Sequence, residues 1–171
     1  PIEDQKPGTS GLRKKTSVFQ RPHFLENYVQ SIFDGIGGVE GKTLVVGGDG
    51  RYFNDQAIQI ILRVASGNGA KACIVGQDGI LSTPAVSHLI RMHNADGGLI
   101  LSASHNPGGP DADFGLKYNG PNGGPASEEV TDTIYKHTMT LDFYKIATCE
   151  DVELDKIGEQ STEGMKVKIV D

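Results

Sequence analysis

Three short apolar runs constrain this chain more than anything else in it: "KTLVVGG" at 42–48, "KACIVG" at 71–76 and "GGLILSA" at 97–103. Each is rich in Val, Ile or Leu, is short, and runs straight into glycine or polar loop residues, so each reads as a buried strand. The segments between them carry helical spacing. "NDQAIQIILRVASGNG" lines up Ala57, Ile58, Ile61, Leu62 and Ala65, with Asn54 or Asp55 expected as N-cap and Asn68–Gly69 as the stop. In "STPAVSHLIRMHN", Thr83 is the expected N-cap and Pro84 the first helical residue. Strand, helix, strand, helix, strand within about 60 residues predicts βαβ crossovers. The fold class is therefore α/β: a three-layer α/β/α domain with a mixed, mostly parallel sheet flanked by helices.

The flanking segments extend this frame. "PHFLENYVQSIFDGIGG" places Phe24, Leu25, Tyr28, Val29, Ile32, Phe33 and Ile36 on one helical stripe, closed by Gly35, Gly37 and Gly38. "FGLKY" predicts a further strand, and Ser127–Thr140 a helix whose first turn holds Glu128 and Glu129 beside the positive end of its dipole. "FYKIA" reads as strand or loop, and "KVKIV" as a strand leaving the domain or entering the next. With 171 residues the chain is long enough for one well-buried core, and its 23 glycines fall in short clusters between the apolar runs, as tight connections do.

A net charge of −6 opposes binding to nucleic acid or to an anionic membrane surface. Arg13, Lys14 and Lys15 are the local exception, suited to a small anion or to a solvated strand. No apolar stretch approaches 18 residues, so membrane insertion is not expected and a cytoplasmic protein is. Two distant cysteines, Cys73 and Cys149, make no disulfide framework, and Cys73 is expected to be a small buried side chain.

In an open α/β sheet, ligands sit outside the carboxyl ends of the strands. The loops there are "GGDGRYFN", "GQDGILST" and "SASHNPGGP". The last holds a hydroxyl at Ser104 and a titratable ring at His105. Pro107 restricts Asn106, and Gly108 and Gly109 let backbone N–H groups approach an anion. The same residue types also make ordinary turns, and with no G-x-S-x-G elbow a serine hydrolase fits poorly. "GGDG" matches a dinucleotide fingerprint incompletely, since Phe53 stands where the third glycine belongs. Asp111 and Asp113 offer two carboxylates for a cation without a third nearby. In "KPGTSGLRKK", Thr9, Ser10 and Gly11 supply donors and Arg13 a planar guanidinium suited to phosphate, although taken alone the stretch reads better as a turn followed by a basic strand. Lys117, between Leu116 and Tyr118, is either an outward strand residue or an ammonium pointing into a site.

Taken in order, "KPGTSGLRKK", "LVVGGDGRY", "GILSTPAVS", "SASHNPGGP", "DFGLKYN" and "NGGPA" resemble the first domain of the phosphoglucomutase branch of the α-D-phosphohexomutase family, from Lys6 to Val170. One departure is Ser102, where the branch commonly has threonine. The resemblance implies interconversion of glucose 1-phosphate and glucose 6-phosphate, with glucose 1,6-bisphosphate as intermediate. It makes Ser104 the carrier of the phosphoryl group and gives His105 acid/base chemistry around it. Lys117 becomes an acid/base and phosphate contact, and Arg13, with Ser10 beside it, a contact to substrate or phosphate. It implies Mg2+, reached from this chain through the phosphate on Ser104, the other ligands lying in a "DGDGD" run of a second domain that this chain does not contain. The implied partners are sugar phosphates and the parent chain's remaining domains. The phosphoserine-bearing domain I is placed at 1–160, with 161–171 connecting onward, and these 171 residues alone are expected to be inactive. A noncatalytic mutase-like phosphoprotein, acting as an interaction or secretion-related module, is the alternative. A metal-dependent phosphatase using Asp111 and Asp113 is a second one.

Overall fold

The structure, a computed structural model, describes residues 2, 5–7, 11–50, 53–102, 113–162 and 164–171. In chain order its elements are β1 (Leu12–Lys15), α1 (Thr16–Phe19), α2 (Phe24–Gly35), β2 (Thr43–Gly48), α3 (Asn54–Gly67), β3 (Ala72–Ile80) and α4 (Thr83–Met92). There follow β4 (Gly97–Leu101), β5 (Asp113–Asn119), α5 (Glu128–Thr140), β6 (Gly158–Ser161) and β7 (Lys166–Val170). The basic stretch Leu12–Lys15 is thus a strand, and the three apolar runs are strands with helices between them.

The seven strands lie in the order β1-β5-β4-β2-β3-β7-β6. Neighbours among β4, β2, β3 and β7 are parallel, whereas β5 runs against β4, β1 against β5 and β6 against β7. The sheet is therefore mixed, with a parallel centre. Its pleat sorts side chains between two cores. Leu44, Val46, Leu99, Leu101, Phe114 and Leu116 enter the larger one with Ile32 and Phe33 of α2, Ile58 and Ile61 of α3 and Ile134 of α5. Val45, Ile74 and Ile100 point the other way, onto Val86 and Ile90 of α4. Helices cover both faces, giving three layers. Each fully buried side chain of Phe114's size contributes about 1.5–3 kcal/mol by leaving water. Around it, Phe19, Phe24 and Phe53 stack edge-on with ring centroids 5.0–5.5 Å apart, fastening α1, α2 and the start of α3 to β5.

The α2 stripe is buried as its spacing predicts, and the chain leaves that helix through Gly37 and Gly38. Ser127 caps α5, its hydroxyl accepting from the Val130 N–H at 3.3 Å. Two other caps differ from expectation. Ser82, not Thr83, caps α4, with its Oγ accepting from Ala85 N–H at 3.2 Å, so Pro84 stands one position further in. At α3, Phe53 occupies the N-cap with φ 75°, because Asn54 turns its side chain inward to donate to the Gly79 carbonyl at 3.1 Å.

"FYKIA" forms no strand. Residues 142–155 run as an irregular strap over α2 and α3, held by side-chain and isolated backbone bonds instead of a ladder. Lys145 N–H donates to Gln30 Oε1 (2.9 Å), and Ala147 N–H to the Arg63 carbonyl (2.9 Å). Gln59 both donates to the Val152 carbonyl (2.8 Å) and accepts from its N–H (2.9 Å). Residues 161–171, expected to connect onward, instead contribute β7. This strand pairs with β3 from Ala72↔Lys166 to Gly76↔Val170, and Val167 and Ile169 are buried in the larger core while Lys166 and Lys168 face water. That alternation makes β7 part of this sheet.

Candidate active site

The crossovers decide where a site can form. From β2 the chain passes through α3 to β3 on one side, whereas from β4 it continues to β5 on the other. The connections that leave the carboxyl ends of β2 and β4 therefore run to opposite sides, which opens the crevice where ligands bind in such sheets. Asp49 and Ser102 stand at that point. The Ser102 hydroxyl donates to Asp49 Oδ2 at 3.2 Å, and the Asp49 N–H donates to the Leu101 carbonyl at 3.1 Å. On its far side Ser102 donates its N–H to the Gly115 carbonyl at 2.9 Å.

Two close backbone approaches bring these strand ends together. A Cβ at Gly48 would lie 2.4 Å from the Leu101 carbonyl oxygen, and one at Gly115 would lie 2.3 Å from that of Ser102. Gly47 is likewise filled against, by Leu81 of the loop that folds back from β3. The glycines of "GGDG" at 47 and 48 are thus packing glycines, which accounts for the incomplete nucleotide fingerprint. Gly11 has φ +86°, and a Cβ there would meet the Leu116 carbonyl, so only glycine at this position lets the backbone just before β1 lie against β5.

Cations arrive from the antiparallel side. Arg13 pairs with Gly115, Lys15 with Asp113, and Lys117 with Ile100. Paired residues share a face, and Ile100 belongs to the core under α4. Arg13, Lys15 and Lys117 therefore lie on the same sheet face as Ser102 and Asp49, with Arg13 and Lys15 exposed and Lys117 half-buried. Lys117 is an inner strand residue of this face. The remaining residues singled out from the sequence, Ser10, Ser104 and His105, together with Asp111, lie outside the described residues. Asp113 is on the site face opposite Lys15, and among the described residues there is no group of three or more His, Cys, Asp or Glu able to hold a metal ion.

Asp49, Ser102 and Lys15 lie inside stretches that stand out in the sequence but that give them no role at the site. The signal that finds them is position: each sits at the site end of its strand, as the rule for Ser104 requires. A cleft of about 670 Å3 elsewhere, lined by Lys42, Asp96, Tyr118 and Pro121, lies at the opposite end of the sheet, where β2 and β4 begin. There the Tyr118 hydroxyl donates to the Asp96 carbonyl at 3.3 Å, and its pKa is pushed up to about 12 by burial and by the Asp96 charge. That cleft stands away from the switch point.

Residues 4–145 match the family model for phosphoglucomutase/phosphomannomutase, alpha/beta/alpha domain I. The phosphoglucomutase of Rhizobium radiobacter is 54% identical over 171 residues, covering 100% of this chain and 32% of that protein. The cytoplasmic phosphoglucomutase of Mesembryanthemum crystallinum is 55% identical, over 96% of this chain and 30% of its own length. Among solved structures, the exocytosis-sensitive phosphoprotein pp63/parafusin (phosphoglucomutase) from Paramecium, in its open form, superposes with a TM-score of 0.94 at 46% identity. It is covered over 33% of its length by 99% of this chain. The chain thus spans about a third of the length of the relatives it matches. Family model, relatives and superposition agree with the mixed α/β fold, and the chain belongs to the phosphoglucomutase/phosphomannomutase family, as its alpha/beta/alpha domain I.

Proposed function

We propose that this chain is the phosphoserine-bearing domain I of a phosphoglucomutase that interconverts glucose 1-phosphate and glucose 6-phosphate. The observation that carries the reading is the identity of 50–55% to proteins named phosphoglucomutase, over nearly the whole chain. Arg13 and Lys117 on the switch-point face support it. In the reaction, a free hydroxyl oxygen of the sugar phosphate attacks the phosphorus carried by Ser104. The bond from phosphorus to Ser104 Oγ breaks, the sugar hydroxyl gives up its proton and Oγ gains one, with His105 as the group that handles those protons and Lys117 as an electrostatic clamp on the phosphate. The product of this half is glucose 1,6-bisphosphate, which turns over in the site and returns its other phosphoryl group to Ser104.

The charges explain why cations face the crevice. A phosphoserine carries about −1.5 to −2 charges, and the sugar phosphate brings a second anion. One like-charged unit pair 4 Å apart costs about 4 kcal/mol at an effective dielectric near 20. Arg13, with Ser10, and Lys117 offset that repulsion. The family implies Mg2+, which neutralises a transferring phosphoryl group. On the family resemblance, this chain would reach the ion through the Ser104 phosphate, with the other ligands supplied by the rest of the parent chain. Alignment of phosphoserine and sugar lowers the barrier by up to about 7–11 kcal/mol, and that alignment needs the parent's further domains to enclose the sugar. These 171 residues alone are therefore expected to have negligible mutase activity.

We place the parent in the cytoplasm, as several relatives are named cytoplasmic, although others are named chloroplastic. Among the described residues no helix is long and apolar enough to cross a membrane. A noncatalytic, secretion-related role is the weaker reading, because the sequence keeps Ser104, His105, Arg13 and Lys117 together. The test is Ser104→Ala in the full-length parent, with intact-protein mass spectrometry. Turnover and the mass of one phosphoryl group are both expected to disappear. A variant that still turns over would overturn the proposal.

A further inference from the structure

A carboxylate at the rim of a site for two phosphate groups opposes their approach. Asp49 nevertheless stands at the switch point, on the face that carries Arg13, Lys15 and Lys117. Its geometry gives it a different task. Two bonds cross the β2–β4 junction at this residue, one from its N–H to the Leu101 carbonyl (3.1 Å) and one from the Ser102 hydroxyl to its Oδ2 (3.2 Å). Ser102 is also fastened to β5 through its N–H and the Gly115 carbonyl (2.9 Å). The last described residue before 103 is therefore gripped from both neighbouring strands. In the sequence Ser104 follows two residues later.

We infer that Asp49 is a positioning residue, which acts through the Ser102 hydroxyl to fix the direction in which β4 delivers the chain that carries Ser104. The inference rests on the reading of Ser104 as the phosphoryl carrier. A carboxylate is the suitable acceptor, because a hydrogen bond to a charged group is stronger than one between neutral groups. The hydroxyl matters more than its parent side chain. Threonine, which the phosphoglucomutase branch commonly carries at this place, keeps it.

Kinetics of the full-length parent test this, using Asp49→Ala, Ser102→Ala, the double variant and Ser102→Thr. Each alanine is expected to lower kcat about tenfold, the scale of one lost charge-assisted bond, with KM for glucose 1-phosphate within about twofold. The double variant is expected to be no slower than either single one, since both remove the same contact. Ser102→Thr is expected to keep the parent's rate. Additive losses, a loss confined to KM, or a threonine variant as slow as the alanine one would each overturn the inference. If thermal unfolding shows that Asp49→Ala does not fold, the Ser102→Ala and Ser102→Thr pair decides alone. Ser104→Ala, measured beside them, separates the two levels: turnover in that variant removes the underlying reading, whereas its loss alongside a normal Ser102→Ala removes only the role given to Asp49.

Discussion

A methyl group at residue 115 has no room, because it would lie 2.3 Å from the Ser102 carbonyl oxygen. Gly115→Ala is therefore expected to push β4 and β5 apart where they support the site, costing about 1–3 kcal/mol in urea unfolding of the domain. Lys117 is open to a sharper question. Neutralising a phosphate asks only for a cation, whereas moving a proton asks for an amine. Lys117→Arg in the parent is expected to keep turnover within about an order of magnitude, and a loss of about 10²–10⁴-fold would assign it proton transfer instead. At this scale the sequence made the strands that carry Arg13 and Lys117 legible, and the register places both on one sheet face. The sequence was less legible where a side chain abandons its usual task. Asn54 looks like an N-cap but spends its amide on Gly79, an interaction between residues far apart in the chain that no local pattern encodes. Asp49 was hidden for a related reason, since its significance comes from a strand end that lies beside it only after folding.

The elements followed their periodicity closely. Val and Ile runs gave strands, and the apolar stripes of α2 and α3 were buried as spaced. The α4 cap shifted by one residue because Ser82 and Thr83 are both good caps and proline is tolerated throughout a first turn. The strap over residues 142–155 was not foreseen, because the groups that hold it, Gln30, Gln59 and Asn68, are distant in sequence and read as ordinary helix residues. Gln59 is the most exacting of these, being 9% exposed and paired twice to the Val152 backbone. Gln59→Ala is expected to leave both backbone groups short of a partner, lowering stability by about 1–3 kcal/mol. It should also speed hydrogen exchange at the Val152 amide, which a simple loss of helix propensity would not do.

Across the whole molecule, burial sets the alkaline limit. Cys73 is fully buried and its thiol is pushed up from 9.0 to about 12, and Tyr118 rises from 10.0 to about 12, with burial the leading cause in both. Tyr28 is raised for the same reason. The folded chain therefore holds protons that the unfolded chain releases, so stability is fully present below about pH 9 and falls as pH rises from there toward 12. Thermal unfolding is expected to keep a constant midpoint from pH 7 to about 8.5 and to drop steadily above pH 9, with a shallower drop in Cys73→Ala. A midpoint unchanged up to pH 11 would contradict this. Sheet order was the feature least readable from the sequence, since nothing local in "KVKIV" says that it belongs beside β3. That placement has a consequence during synthesis. β3 is an interior strand in the finished sheet, yet its neighbour β7 comes last in chain order among the described strands of that sheet. Until the ribosome releases residues 166–170, the nascent chain carries an open, apolar strand edge, so the interval before release is when a chaperone has most to shield.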